Sequence, residues 1–122
     1  MTEGDRRKIA IVDDDDGVRD SLRLLLEILG HPVETFASAA EFLKTELHQL
    51  AALILDHNMP HMTGLKLAEI LRANGVGIPI LLITASLSPA IVARAAELGI
   101  GKVVEKPLRE RELVDFISST RP

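Results

Sequence analysis

Short aliphatic runs alternate with segments of helical periodicity along this chain, and the alternation constrains the fold more than any other feature. The runs cover residues 8–12, 32–36, 51–55, 79–83 and 102–105, and each is too short for a helix. Between them, apolar residues recur at the spacing of amphipathic helices. Successive strand–helix units bury best as one parallel sheet with helices on both faces. A closed eight-stranded barrel needs about twice this length, so residues 1–122 are predicted to form a single α/β domain around an open sheet.

Some helix boundaries can be read directly. Ser38 and Glu41 form a capping box, in which each side chain accepts a backbone N–H near the helix start, and the helix that follows is predicted to include Leu47. Gly30 is predicted to end the first helix, and the last helix is predicted over 108–119. Residues 1–7 are polar and are expected to form a loosely ordered leader.

Charge and composition argue against several functions. The net charge is −4 and the only aromatic residues are three phenylalanines, which argues against direct nucleic-acid binding. The uncharged stretch 73–93 contains glycine, proline and polar residues, so no membrane span is predicted. The chain has no cysteine, which excludes disulfides and thiolate metal sites and leaves the reducing cytoplasm as the expected compartment.

Polar side chains follow four of the predicted strands. Asp13 and Asp14 end the first, Asp56 the third, Thr84 the fourth and Lys106 the fifth. In a parallel sheet these ends share one edge, where ligands bind. Clustered carboxylates tolerate one another if a cation lies among them, and oxygen ligands favour Mg²⁺ or Mn²⁺. A metal ion, an ammonium and a hydroxyl together suit a phosphoryl group, for which Asp56 can be the covalent acceptor.

Four motifs in this order carry a family resemblance. They are Ile11-Val12-Asp13-Asp14-Asp15, Leu53-Ile54-Leu55-Asp56 with Met59-Pro60 and Gly64, Ile83-Thr84-Ala85, and Glu105-Lys106-Pro107. The chain thus resembles the receiver domain of a two-component response regulator over nearly its whole length. The resemblance implies a flavodoxin-like, doubly wound sheet with strand order 2-1-3-4-5. It also implies a phosphorylatable signalling switch and not a metabolic enzyme.

The resemblance also implies roles for the residues of the site. Asp56 would accept a phosphoryl group from a phosphohistidine on a sensor histidine kinase or phosphotransfer protein. Asp14 and Asp56 would hold Mg²⁺ directly, Asp13 partly through water, and Asn58 through its backbone carbonyl. Lys106 would pair with the phosphoryl oxygens.

Output would follow from a movement of Thr84, which by the same resemblance turns inward to bond the phosphoryl group. This movement would reshape the face formed by the fourth helix, fifth strand and fifth helix, and so address a downstream protein or output domain. Whether phosphorylation also drives homodimerisation stays open.

Two features depart from the family pattern or add to it. Val103 stands where the family commonly has a rotating Tyr or Phe, so the aromatic half of the usual switch is missing. His57, Asn58 and Ser86 flank the path by which water would reach an aspartyl phosphate, and we expect them to set its lifetime.

Two alternative functions remain. A haloacid-dehalogenase-like phosphatase would use Asp14 as nucleophile and Asp16 as acid/base, with Thr84 and Lys106 as its next motifs, but it leaves Asp56 unexplained. A receiver-like module could also bind a partner without being phosphorylated. The simplest interpretation of Asp15 and Asp16 is helix capping.

Overall fold

The structure is a computed structural model that describes residues 7–120, so the predicted leader lies outside the described residues except for Arg7. Five parallel strands form one sheet in the order β2-β1-β3-β4-β5. The strands are β1 (Lys8–Val12), β2 (Val33–Phe36), β3 (Leu50–Asp56), β4 (Ile80–Thr84) and β5 (Lys102–Glu105). The predicted doubly wound, flavodoxin-like fold is therefore confirmed.

Helices cover both faces of the sheet. They are α1 (Asp16–Ile28), α2 (Ala39–Phe42), α3 (Gly64–Ala73), α4 (Pro89–Glu97) and α5 (Glu110–Ser119). Because successive strand residues point to opposite faces, Ile9 and Ile11 pack with α1 and α5, while Ala10 and Val12 pack with α2, α3 and α4. The central strands are apolar on both faces, as expected for a covered parallel sheet.

The second helix is shorter than predicted. Ser38 caps the helix as predicted by accepting the Glu41 backbone N–H, but the Glu41 carboxylate accepts the N–H of Ala37 and not that of Ser38, so the capping box is only half formed. α2 ends at Phe42, and Leu47 begins a separate 3-10 turn, Leu47–Gln49. Only Ala39 and Phe42 of α2 are buried, and Phe42 meets the ring of Phe36 edge-on at a centroid distance of 5.3 Å. A single turn satisfies this small contact, so packing does not favour a longer helix.

Other boundaries differ by one or two residues from the prediction. α5 begins at Glu110 and not at residue 108, because Arg109 is the N-cap and its backbone N–H donates to the Glu112 carboxylate at 3.0 Å. β4 ends at Thr84, so this residue belongs to the strand. None of the helices described is long and apolar enough to cross a membrane.

Strand register places the candidate site at one edge. β1 and β3 are neighbours, with Val12 opposite Leu55. In the β3–β4 pair Asp56 lies opposite Ile83, and in the β4–β5 pair Thr84 lies opposite Glu105. The residues at the carboxyl ends of four strands are therefore adjacent, as the strand-end rule predicts.

Candidate functional site

Three carboxylates meet at the carboxyl edge of the sheet. One oxygen from each of Asp13, Asp14 and Asp56 lies within 4.8 Å of the other two. Asp13 and Asp56 are buried, at 3% and 1% exposure, whereas Asp14 is exposed. The cluster joins the end of β1 to the end of β3 and matches the carboxylates predicted as metal ligands.

The pKa of Asp13 is strongly perturbed by its position in this cluster. Its pKa is raised from 3.8 to about 6, chiefly by burial and to a smaller extent by the nearby Asp56 and Asp14 carboxylates, while a hydrogen bond and Lys106 act in the opposite direction. The hydrogen bond comes from the Asp15 backbone N–H to Asp13 Oδ1 at 2.9 Å. An ionised Asp13 is therefore disfavoured unless positive charge is added to the cluster.

The two oxygens of Asp56 are in different situations. Oδ1 lies 2.9 Å from the Lys106 ammonium and accepts the Asn58 backbone N–H at 3.1 Å. Oδ2 is buried and has no hydrogen-bond partner among the described residues. Buried polar atoms are rarely left unpaired, so Oδ2 is the atom of this carboxylate that remains free to bind a cation or an incoming group.

Thr84 lies at the end of β4 and is fully buried. Its hydroxyl makes two contacts of 3.3 Å with the backbone of Ser86, one to the N–H and one to the carbonyl. The strand end is fixed by a hydrogen bond from the Lys106 backbone N–H to the Thr84 carbonyl at 2.8 Å. The structure thus brings Thr84 and Lys106 to the same edge, with the hydroxyl engaged by its own loop.

His57 and Asn58 lie in the loop after Asp56, next to the acceptor as the sequence requires. Half-buried His57 accepts the Leu65 backbone N–H through Nδ1 at 3.3 Å, and its pKa is lowered, chiefly by burial, despite the opposing effect of Asp56. The Asn58 side-chain oxygen accepts the backbone N–H of Ala85 at 2.6 Å. This last contact joins the β3–α3 loop to the β4–α4 loop and was not predicted.

Gly64 has a steric role that the motif alone did not reveal. A Cβ at this position would lie 2.6 Å from the Asp56 carbonyl oxygen and 2.9 Å from the Cα of His57. Only glycine allows the start of α3 to approach the backbone of Asp56 this closely. Gly64 also donates its N–H to the His57 carbonyl at 3.1 Å, so it fixes the loop that carries Asp56.

The predicted capping role is confirmed for Asp15, while Asp16 lies in the first turn of α1 and makes no capping hydrogen bond. Asp15 is the N-cap of α1 and accepts the Val18 backbone N–H at 3.0 Å. Asp16 is exposed and pairs with the Arg19 guanidinium. This pairing turns Asp16 to the surface and does not favour the acid/base role that the phosphatase alternative requires.

Comparisons with known proteins agree with this geometry. The family model of the response regulator receiver domain matches residues 9–118. The transcriptional regulatory protein TdiR of Thauera aromatica is 32% identical over 117 residues, covering 95% of this chain and 52% of TdiR. The response regulator protein TodT of Pseudomonas putida is 36% identical over 110 residues, covering 89% of this chain and 48% of TodT. A solved structure of the response regulator StyR is 40% identical, with a TM-score of 0.87, over 94% of this chain and 59% of that chain.

The match identifies the class of protein. The chain spans about half the length of the curated relatives it matches. A receiver domain is a signalling switch and not an enzyme, and it implies a cognate histidine kinase. With the acidic pocket of Asp13, Asp14 and Asp56 at the carboxyl edge of a 2-1-3-4-5 sheet, this chain belongs to the receiver domain family of two-component response regulators.

Proposed function

We propose that Asp56 is the residue that accepts the phosphoryl group, from a phosphohistidine on a sensor histidine kinase or a phosphotransfer protein. The observation that carries the proposal is the buried Asp56 carboxylate, with Oδ1 held by Lys106 and Asn58 and Oδ2 unpartnered. Oδ2 would attack phosphorus, a new P–O bond would form, and the P–N bond would break. The electron pair of the broken P–N bond would return to the imidazole nitrogen of the donor.

Mg²⁺ fits the oxygen cluster as the resident cation, with Mn²⁺ as the alternative. Asp14 and Asp56 would bind it directly, Asp13 partly through water, and Asn58 through its backbone carbonyl. The geometry supports this assignment, because one oxygen from each of Asp13, Asp14 and Asp56 lies within 4.8 Å of the other two. Burial and, to a smaller extent, the neighbouring carboxylates raise the pKa of Asp13, and a bound cation would favour its ionised form. When bound, the ion supplies charge neutralisation for the phosphoryl oxygens.

Lys106 and Thr84 would stabilise the transferred group. The Lys106 ammonium already lies 2.9 Å from Asp56 Oδ1 and can pair with a phosphoryl oxygen without crossing the site. The Thr84 hydroxyl would exchange its contacts with Ser86 for a phosphoryl oxygen. We propose that this movement changes the face formed by α4, β5 and α5, and so the binding of a downstream protein or output domain in the cytoplasm.

Intact-mass measurement tests the proposal. The protein is incubated with Mg²⁺ and a small acyl phosphate, beside the variants Asp56→Asn and Asp14→Asn and the control Asp20→Asn, which changes an exposed aspartate of α1. We expect one hydroxylamine-labile phosphoryl adduct on the parent and the control, and none on Asp56→Asn.

Two other results would each favour an alternative. No adduct on a parent protein that binds Mg²⁺ would indicate a receiver that works without phosphorylation. Hydrolysis of the donor that survives Asp56→Asn but is lost in Asp14→Asn would indicate the phosphatase.

A further inference from the structure

The loop between β4 and α4 is held by an unusual set of hydrogen bonds. Its backbone N–H groups at Ala85, Ser86 and Leu87 each donate to a side-chain oxygen. The acceptors come from three different elements, and the distances are 2.6 Å to Asn58, 3.3 Å to Thr84 and 2.9 Å to Glu105. Loops generally run over the surface, where water is available to their backbone groups, but these three N–H groups are all bound by side chains, from both sides of the site.

The hydrogen bond between Glu105 and Leu87 joins two elements outside the acidic cluster. Glu105 is exposed, ends β5 and lies opposite Thr84 in the β4–β5 register. Its carboxylate crosses to Leu87, the last residue before the N-cap of α4 at Ser88. One hydrogen bond therefore connects the end of β5 with the entry to α4.

Movement of Thr84 conflicts with this arrangement. If the Thr84 hydroxyl turns to a phosphoryl oxygen, the Ser86 N–H loses its acceptor, which favours a rearrangement of the loop backbone around Ser86. Asn58 already takes the Ala85 N–H beside Asp56, where phosphoryl oxygens would become competing acceptors. Leu87 is one residue further along, so its bond to Glu105 opposes the displacement of the loop.

We propose that Glu105 is a positioning residue that holds the β4–α4 loop in its unphosphorylated arrangement, and that its bond to Leu87 breaks when the site is phosphorylated. The proposal rests on the proposed function of Asp56. It gives this chain a connection between the site and β5 that does not need an aromatic residue at Val103.

The energetic consequence has a definite sign. A contact made in only one of two states stabilises that state, so its removal shifts the population towards the other. Hydrogen bonds to charged groups contribute modestly when they are exposed. We therefore expect Glu105→Ala to bind the phosphoryl analogue beryllofluoride, with Mg²⁺, about three- to tenfold more tightly than the parent.

Amide NMR on the full chain measures both the contact and its effect. Hydrogen exchange at the Leu87 amide is followed without ligand and at saturating beryllofluoride, and the affinity is obtained by titration. The variants are Glu105→Ala, Glu105→Gln, which keeps an acceptor oxygen, and Glu110→Ala, which removes an exposed glutamate from the first turn of α5.

In the proposed mechanism, the Leu87 amide is protected in the parent and in Glu105→Gln, and it exchanges faster in Glu105→Ala. Beryllofluoride removes the protection in the parent. Glu105→Gln restores an affinity close to that of the parent, and Glu110→Ala leaves it unchanged.

The possible failures are distinguishable. A parent that does not bind beryllofluoride with Mg²⁺ would overturn the proposed function and this inference together. Normal binding with Leu87 still protected, or with Glu105→Ala equal to the parent, would overturn the inference alone. If Glu105→Gln gained as much affinity for beryllofluoride as Glu105→Ala, the effect would come from the lost negative charge, and the inference would also be overturned.

Discussion

Replacement of Asp13 by asparagine should stabilise the metal-free protein at neutral pH. Asparagine keeps the side-chain oxygen that accepts the Asp15 N–H, at 2.9 Å in the parent, and it removes a negative charge that is almost fully buried, at 3% exposure. The variant therefore changes the charge of the cluster while leaving the local hydrogen bond in place.

The pKa of Asp13 sets the size of the effect. Folding raises it from 3.8 to about 6, and each pKa unit corresponds to about 1.4 kcal/mol. Because the folded state binds the proton more tightly, this group lowers the parent's stability as the pH rises through that range. Asp13→Asn has no ionisable group at this position and does not lose this stability. Its free energy of unfolding should therefore exceed that of the parent by about 3 kcal/mol above pH 7 and by less than about 1 kcal/mol near pH 4.

Urea unfolding in the presence of a chelator measures this difference. The chain has no Trp or Tyr, so far-ultraviolet circular dichroism is the suitable signal. An advantage of about 3 kcal/mol should also raise the melting temperature by on the order of 10 °C for a domain of this size. Asp20→Asn is the control, because it removes an exposed carboxylate from the same region.

Two outcomes would refute the reasoning. If Asp13→Asn were no more stable than the parent at pH 8, the burial of Asp13 would not cost what its raised pKa implies. If the variant were equally stabilised at pH 4 and pH 8, the gain would come from packing and not from charge. Unchanged m-values are required for either comparison.

Two further predictions concern the loops of the site. Gly64→Ala should destabilise the fold by about 1–3 kcal/mol in urea unfolding and slow phosphorylation of Asp56, because its Cβ would lie 2.6 Å from the Asp56 carbonyl. Gly77→Ala, where a Cβ meets nothing within 4 Å, should be neutral or slightly stabilising, and similar losses in both variants would contradict the steric argument. Asn58→Ala and Ser86→Ala should each change the rate at which the aspartyl phosphate is lost, as followed by intact mass; two unchanged rates would exclude a role for these side chains in its lifetime.

The residues of the site that could be predicted share one property: each is the last residue of a strand or directly follows one. Asp13, Asp56, Thr84 and Lys106 were found because the carboxyl ends of parallel strands converge whatever the loops do. The short length of the aliphatic runs, together with the helical periodicity of the segments between them, was enough to predict these strands. The rule uses position and residue type together, and it needs no knowledge of side-chain conformation.

The parts that could not be predicted are contacts between a side chain and a backbone group. Asn58 bonds to Ala85, 27 residues away, and Glu105 bonds to Leu87, 18 residues away. Every residue except proline has a backbone N–H, so Ala85 and Leu87 carry no sign of these partners. Likewise, the early end of α2 depends on how little of it is buried, which local sequence does not report.

The stability of the fold and the binding of a cation should be linked through Asp13. The apolar strands hold its carboxylate beside Asp56 and Asp14 although ionised Asp13 destabilises the metal-free protein. A divalent cation that binds only the folded state recovers part of this energy, and stability then rises with the concentration of the cation. Without Mg²⁺, Asp13→Asn should therefore be more stable than the parent. Addition of Mg²⁺ should raise the free energy of unfolding of Asp13→Asn by less than it raises that of the parent. If both proteins gained equally from Mg²⁺, the charge on Asp13 would have no part in holding the ion.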